Sequence, residues 1–522
     1  MRMKRVIAAF LVLTLCFGMI GCGEKSAPSE GGTVSDATVK ETSAPTGDYP
    51  EPEEEPVEII WYLYADNNQR DEEIVWEEIN KYLKEKINVT VDAQFFNYDD
   101  MFSKMPVMLN AGDPMDLVFT CSWLNEYIPA ATKGSFMELD DLVDQYAPKT
   151  KAHVPEQLWD GARVGGKIYC VPTYKEMGQQ YGFIFNNEIV KKYNLDVSGI
   201  KDYKDVEELF KIVKEKEPNM VILEAPFPLE RMMIKNHITG DMDTPGALNI
   251  PGHEYYTVAD DQIFNQYDTP EFKEFCVTME RWQKAGYLPK DTHYETETAP
   301  NDWKSQNIFC KGITYAPNEE VSLTEQRGYE HIYVPVGTTI VENANVLGSA
   351  IAIPQQSKNP RAAMKVIEML YTDKTFATMI RHGIEGKHWV YSEDGKTVDF
   401  APDQDPKDPG YDFGIGWEFG SIFTAPLPTS FPENTFEAYE KLNESALAAP
   451  SLGFTFSSEP VEAELAAISN VINEYRDPLM WGLVSAEEYH PKFIKALQDA
   501  GVDKVLAEQQ KQYDEWNAET GK

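Results

Sequence analysis

The residues of this 522-residue chain best able to act on a ligand are aromatic rings placed close to carboxylates and amides. Tyr64, Asp66 and Asn67 follow a first apolar strand, and Trp123 follows a third. Tyr174 and Glu176 lie near an expected chain crossing, Glu224 ends a short apolar run, and Trp417 sits in a late aromatic loop. A ring can stack on the apolar face of a sugar while Asp, Glu, Asn or Gln hold its hydroxyls in fixed geometry. Aromatics are 12% of the chain, enough for such a site as well as for two ordinary cores. Signatures of covalent or metal chemistry are missing: the chain has no His-Glu-x-x-His pair, no Walker-type phosphate loop and no Gly-x-Ser-x-Gly elbow. The glycines at 414, 416 and 420 miss the dinucleotide spacing by one residue. Asp403, Asp405, Asp408 and Asp412 have calcium-ligand chemistry, but prolines interrupt the run and it reads as a solvated acidic loop. No cofactor and no metal are expected. Paired carboxylates are too numerous in so acidic a chain for counting to exclude a glycoside hydrolase.

The elements that would position these residues can be traced along the chain. The run at 57–64 is apolar on both faces after Glu58, as in a strand covered on both sides. A helix follows at 71–86 with Val75, Ile79, Tyr82 and Leu83 on one stripe. An alternating strand occupies 88–96, and a helix at 99–111, bent by Pro106, leads to Gly112, Asp113 and Pro114. The buried run Leu117, Val118, Phe119 comes next, so the order βαβαβ describes a doubly wound half-domain. Open α/β sheets take ligands outside the carboxyl ends of their strands, which places Thr120 to Trp123 on the rim of a cleft. Further on, Thr269 and Pro270 open a helix whose buried face is Phe272, Phe275, Cys276, Met279 and Trp282, and Gly286 closes it. Asp394-Gly395 turns a hairpin, and three helices at 459–476, 485–500 and 502–517 end the chain.

The amino terminus carries Arg2, Lys4 and Arg5 ahead of an apolar run at 6–20, the pattern of a secretory signal and too short for a comfortable membrane span. Met19-Ile20-Gly21-Cys22 resembles a lipobox, which implies cleavage after residue 21 and acylation of Cys22; an ordinary signal with an incidental cysteine is the alternative. Residues 22–56 are rich in Ser, Thr, Gly, Pro and Glu, the composition of a disordered tether. The formal net charge of −39 excludes nucleic acid as a partner and suits a soluble surface protein. Cys121, Cys170, Cys276 and Cys310 match no metal spacing and read as buried thiols, with one or two bridges left open.

Gly112, Pro114 and Asp116, with Met115 inserted between the proline and the aspartate, resemble the Gly-x-x-Pro-Asp-apolar joint of extracellular solute-binding proteins, the receptors of ATP-driven bacterial importers. The resemblance continues in order through Gly134-Ser135-Phe136, Gly166-Lys167-Ile168-Tyr169-Cys170-Val171-Pro172, Phe185-Asn186-Asn187, and Ser357-Lys358-Asn359-Pro360. Gly383-Ile384-Glu385-Gly386-Lys387-His388 and the tail around Ala500-Gly501-Val502 resemble LipO-like lipoproteins of that group. The resemblance implies an α/β, two-lobed periplasmic-binding-protein-like fold of type II, each lobe a doubly wound sheet flanked by helices, with a helical C-terminal extension. Lobe 1 would comprise 57–171 and 317–385, lobe 2 would comprise 172–316, and 386–522 would pack on both. Gly312 to Tyr315 would return the chain to lobe 1. The function implied is a monomeric, lipid-anchored receptor on the extracellular face of the cell membrane. It would capture a carbohydrate, expected to be an oligosaccharide, and deliver it to an ABC permease without breaking a bond. A surface glycoside hydrolase and a peptide or amino-sugar receptor are the alternatives.

Overall fold

A computed structural model describes residues 49–65, 69–232, 244–250, 261–293, 298–406 and 408–521. The expected signal, Cys22, most of the tether, and the candidates Asp66 and Asn67 lie outside the described residues. No described helix is long and apolar enough to cross a membrane. The chain forms two units. One comprises Met1–Pro155, Thr173–Lys175 and Ser349–Glu433, and the other comprises Glu156–Pro172, Glu176–Gly348 and Asn434–Lys522.

In the first unit the strands Val89–Phe96, Val57–Tyr64, Leu117–Thr120 and Ala350–Ala352 lie side by side in that order. The first three are parallel, with Val57 opposite Val89 and Trp61 opposite Leu117, and the fourth runs antiparallel with Ile351 opposite Phe119. Ile59, Trp61 and Leu63 are buried, as are all four residues of Leu117–Thr120. Helix Glu72–Ile87 buries Val75, Ile79 and Leu83 and ends at Asn88, whose φ of 55° lets its backbone N–H close on the Lys84 carbonyl. The helix expected at 99–111 is two: Tyr98–Ser103 and Met105–Ala111, broken at Lys104. Pro106 sits in the first turn of the second piece, where its missing N–H leaves no carbonyl unsatisfied.

Asp116 secures the joint that follows. Its Oδ2 accepts from the Ile60 N–H at 3.0 Å and its Oδ1 accepts from Ser357 Oγ at 2.6 Å, while its own N–H reaches the Ile60 carbonyl at 2.8 Å. Two of the sequence landmarks are thus one buried hydrogen-bond network. Helix Pro360–Thr372, nearly all of it buried, follows. Its Glu368 accepts from the Thr150 N–H at 2.8 Å and Thr150 Oγ1 at 2.6 Å, securing helix Pro148–His153. The hairpin pairs Trp389 with Phe400, as its Asp-Gly turn implies.

In the second unit Gln179–Asn186 is the central strand, flanked antiparallel by Ile308–Tyr315 and His331–Val341. Val221–Leu223 and Leu447–Ala448 form the edges. Thr269 caps helix Pro270–Ala285 by accepting from the Phe272 N–H at 3.1 Å, and Trp282 is fully buried. The C-terminal helices Glu462–Met480, Ala486–Asp499 and Val502–Thr520 contribute Ile472, Phe493 and Val505 to the same core.

The unit boundaries differ from the expected lobes. Gly312 to Tyr315 does not return the chain to the first unit: it lies inside the second unit's sheet, and because His331–Val341 pairs with the same central strand, re-entry waits until Ser349. The expected C-terminal extension divides at residues 433 and 434, its hairpin and aromatic loop in the first unit and its helices in the second. Both sheets are mixed, with antiparallel neighbours beside the parallel pairs. All four described cysteines are free and buried.

Candidate ligand-binding site

Tyr64 is the last residue of its strand, and Phe119 is the penultimate residue of the neighbouring parallel one. Their rings stack at 5.6 Å with 27° between planes. Trp123 leaves the end of the second strand and meets Tyr64 edge-on at 5.8 Å. Trp417 closes the group at 6.0 Å from Trp123, 6.2 Å from Tyr64 and 6.2 Å from Phe119. Tyr64 and Phe119 are buried, while Trp123 and Trp417 are half-buried. The group therefore has a packed base and two indoles that reach the surface. Three of the sequence-predicted residues, Tyr64, Trp123 and Trp417, meet here.

The backbone that presents Trp123 is fixed by its own polar groups. Asn125, at φ 47°, donates from Nδ2 to the Phe119 carbonyl at 2.8 Å, and Thr120 Oγ1 donates to the Asn125 carbonyl at 2.6 Å. Cys121 Sγ accepts from the Leu124 N–H at 3.1 Å and donates to the Leu124 carbonyl at 2.8 Å. Burial pushes that thiol up to about 12, so it stays protonated and keeps its donor.

Arg381 fixes the Trp417 loop. It is fully buried on helix Lys374–His382, and its guanidinium donates to four carbonyls: Ala377 at 2.8 Å, Ile415 and Ser421 each at 2.9 Å, and Phe419. Desolvation lowers its pKa to about 10, which still leaves it charged at neutral pH. Gly416, at φ 56°, has the Arg381 side chain where a β-carbon would stand, 2.8 Å away, so the loop needs glycine there.

The same loop is tied at its start. Asp71 accepts from Lys387 Nζ at 2.8 Å and lies 3.1 Å from His388 Nε2, and its N–H donates to the Gly410 carbonyl at 3.0 Å. The Lys387 hydrogen bond, against the opposing cost of burial and with help from His388, draws the Asp71 pKa down to about 2. In the acidic loop Asp408 pairs with Arg70 and Asp412 with His382, at 3.1 Å for the second pair. No group of three or more His, Cys, Asp or Glu is placed to hold a metal ion among the described residues.

The other predicted residues lie elsewhere. Tyr174, in the first unit, contacts His153 at 5.3 Å and Phe423 at 4.7 Å, and its backbone bridges Gly420 and Ile422. Glu176 is half-buried in the second unit. Glu224, also in the second unit, is 2% exposed with both oxygens engaged, by Trp303 Nε1 at 2.7 Å and Lys311 Nζ at 3.3 Å. Arg327 stacks over Trp303 at 3.8 Å, so Glu224 is the base of a buried polar cluster. Sequence reasoning missed Arg381, although a cation one position from Ile380 and four from Ala377 on an apolar face was a usable cue. It also missed the stacked Tyr315 and Tyr333 of the second unit, 3.9 Å apart, and Glu319 nearby in sequence, which burial raises to about 7.

Comparison with known proteins places this geometry in context. A family model described as bacterial extracellular solute-binding protein matches residues 65–375, and a domain of unknown function matches residues 450–518. A carbohydrate ABC transporter substrate-binding protein of Streptococcus pneumoniae is 27% identical over 519 residues, 98% of each chain. The crystal structure of an N-glycan transport solute binding protein (NgtS) from the same organism superposes with a TM-score of 0.77 at 26% identity, covering 88% of this chain and 99% of that one. The same protein in complex with Man5GlcNAc gives a TM-score of 0.65 at 25% identity, over 88% and 98% of the two chains.

Proposed function

We propose that this chain, which belongs to the bacterial extracellular solute-binding proteins, captures an oligosaccharide on its Tyr64–Trp123–Trp417 ring group and delivers it to an ABC importer. The observation that carries the reading is that grouping: two half-buried indoles held over a packed aromatic base offer a rigid apolar face to a pyranose ring. The likeness to a carbohydrate transporter's binding protein, and to one crystallised with mannosyl-GlcNAc chains, supports the same ligand class. No bond of the ligand is broken; affinity comes from stacking and hydrogen bonds made by preformed groups. The mature protein is a monomer tethered through an acylated Cys22 to the outer face of the cell membrane, where its partner is the permease.

A thermal-shift panel of gluco-, xylo- and manno-oligosaccharides, including Man1GlcNAc and Man5GlcNAc, tests the proposal. A binding oligosaccharide at a hundredfold excess over Kd adds about 2.7 kcal/mol and raises Tm by several degrees. The sugar must be recovered intact by chromatography. New shorter sugars would replace the receptor with a glycoside hydrolase, and a panel with no shift would remove the carbohydrate reading.

A further inference from the structure

The ring group does not stop at Trp123. Tyr98 lies 6.4 Å from Trp123 with 14° between planes, and Phe102 lies 6.1 Å from Tyr98 with 6° between planes. Trp123 is half-buried, Tyr98 is 38% exposed and Phe102 is 62% exposed, so three nearly parallel rings run outward from the packed base into solvent. Tyr98 and Phe102 are four residues apart on helix Tyr98–Ser103, which turns both to one side. That helix is capped at its start, where Asn97 Oδ1 accepts from the Asp100 N–H at 2.9 Å, and it buries Met101 against the unit.

Large exposed rings in a row call for an occupant. The polar residues interleaved with them narrow the choice. Asn97, Asp99 and Ser103, the sequence neighbours of the two rings, are all exposed, whereas the centre of a protein–protein contact is depleted of charge. Alternating ring faces and short hydrogen-bonding side chains match a ligand that is itself a string of apolar ring faces edged with hydroxyls.

We propose that Tyr98 and Phe102 form an outer subsite for the sugars beyond the one stacked at Trp123, and that this strip makes the protein select for chain length. The inference rests on the oligosaccharide reading above. Its test is calorimetric titration of the full-length protein and of a Tyr98→Ser/Phe102→Ser variant with Man1GlcNAc and Man5GlcNAc; a Phe102→Ser single variant, altered only at the most exposed ring, guards against a folding defect. The expected result is at least a tenfold loss of affinity for the long chain and less than a twofold loss for the short one, with the single variant in between. Equal losses on both ligands, or none on either, would overturn the subsite while leaving the oligosaccharide reading intact. Wild-type protein that binds neither of these sugars nor any gluco-, xylo- or manno-oligosaccharide of the panel would overturn both. A dimer in light scattering that the double variant abolishes would instead assign the strip to a second copy of the chain.

Discussion

Arg381 donates its Nε–H to the carbonyl of Ile415 at 2.9 Å, and through that bond and two more, to the Phe419 and Ser421 carbonyls, a fully buried cation sets the backbone that carries Trp417. The arginine acts on the carbonyls flanking the indole.

Replacing Arg381 with Lys keeps the charge but not the planar fork, so several of the four carbonyls lose their donor. The expected cost is about 2–4 kcal/mol in denaturant unfolding. Affinity for the oligosaccharide also falls, and that fall disappears in a Trp417→Ala background. A double-mutant cycle by calorimetry checks it, and additive losses would separate Arg381 from Trp417.

In the proposed function the two indoles carry the ligand. Trp123→Ala and Trp417→Ala are each expected to weaken oligosaccharide binding about 10- to 100-fold, on the order of 1.5–3 kcal/mol, by equilibrium titration. Circular dichroism should remain that of the native fold, because both rings are half-buried at the edge of the core.

Asp71 gives the protein an acid limit. Its folded pKa lies below its usual value of 3.8, at about 2, so its contribution is complete above about pH 4 and is lost as pH falls through about 2. Asp71→Asn should cost about 2 kcal/mol at pH 7 and almost nothing at pH 2. Urea unfolding across that range reads the difference directly. A pH-independent cost would mean that the carboxylate's charge is not what Lys387 and His388 recognise.

Glu224 is a pillar of the second unit. Glu224→Gln can keep the Trp303 bond but gives up the charge opposite Lys311, and unfolding stability should fall by about 1–3 kcal/mol. Oligosaccharide affinity, measured on the folded variant, should change by less than threefold. A larger change would restore Glu224 to the ligand.

Much of the fold is legible in short stretches of sequence. The Thr269-Pro270 start and Gly286 stop of one helix, the Asp394-Gly395 hairpin and the alternating strand before Phe96 each depend on a few adjacent residues, and each stands where its pattern puts it. The positions of Tyr64 and Trp123 at strand exits are legible from the rule that open α/β sheets bind ligands past the carboxyl ends of their strands. The rule names strand exits from local pattern alone.

Other features depend on which distant segments pack together. Trp417 meets Trp123 where Arg381 and the backbone bond from the Asp71 N–H to the Gly410 carbonyl hold the 408–421 loop, and no local pattern encodes that closure. The return of the chain at Ser349 rather than Ala316 was decided by His331–Val341 pairing with Gln179–Asn186, a long-range choice between sheets. Glu224 looks in sequence like any acid at a strand end; Trp303 and Lys311, brought to it from far along the chain, engage both of its oxygens. By itself the sequence determined the elements, their caps and the aromatic strand exits, because periodicity and turn chemistry act over a few residues. Tertiary structure alone decided which polar groups are buried with partners and which rings share a surface, because burial is a property of whatever the folded chain brings alongside.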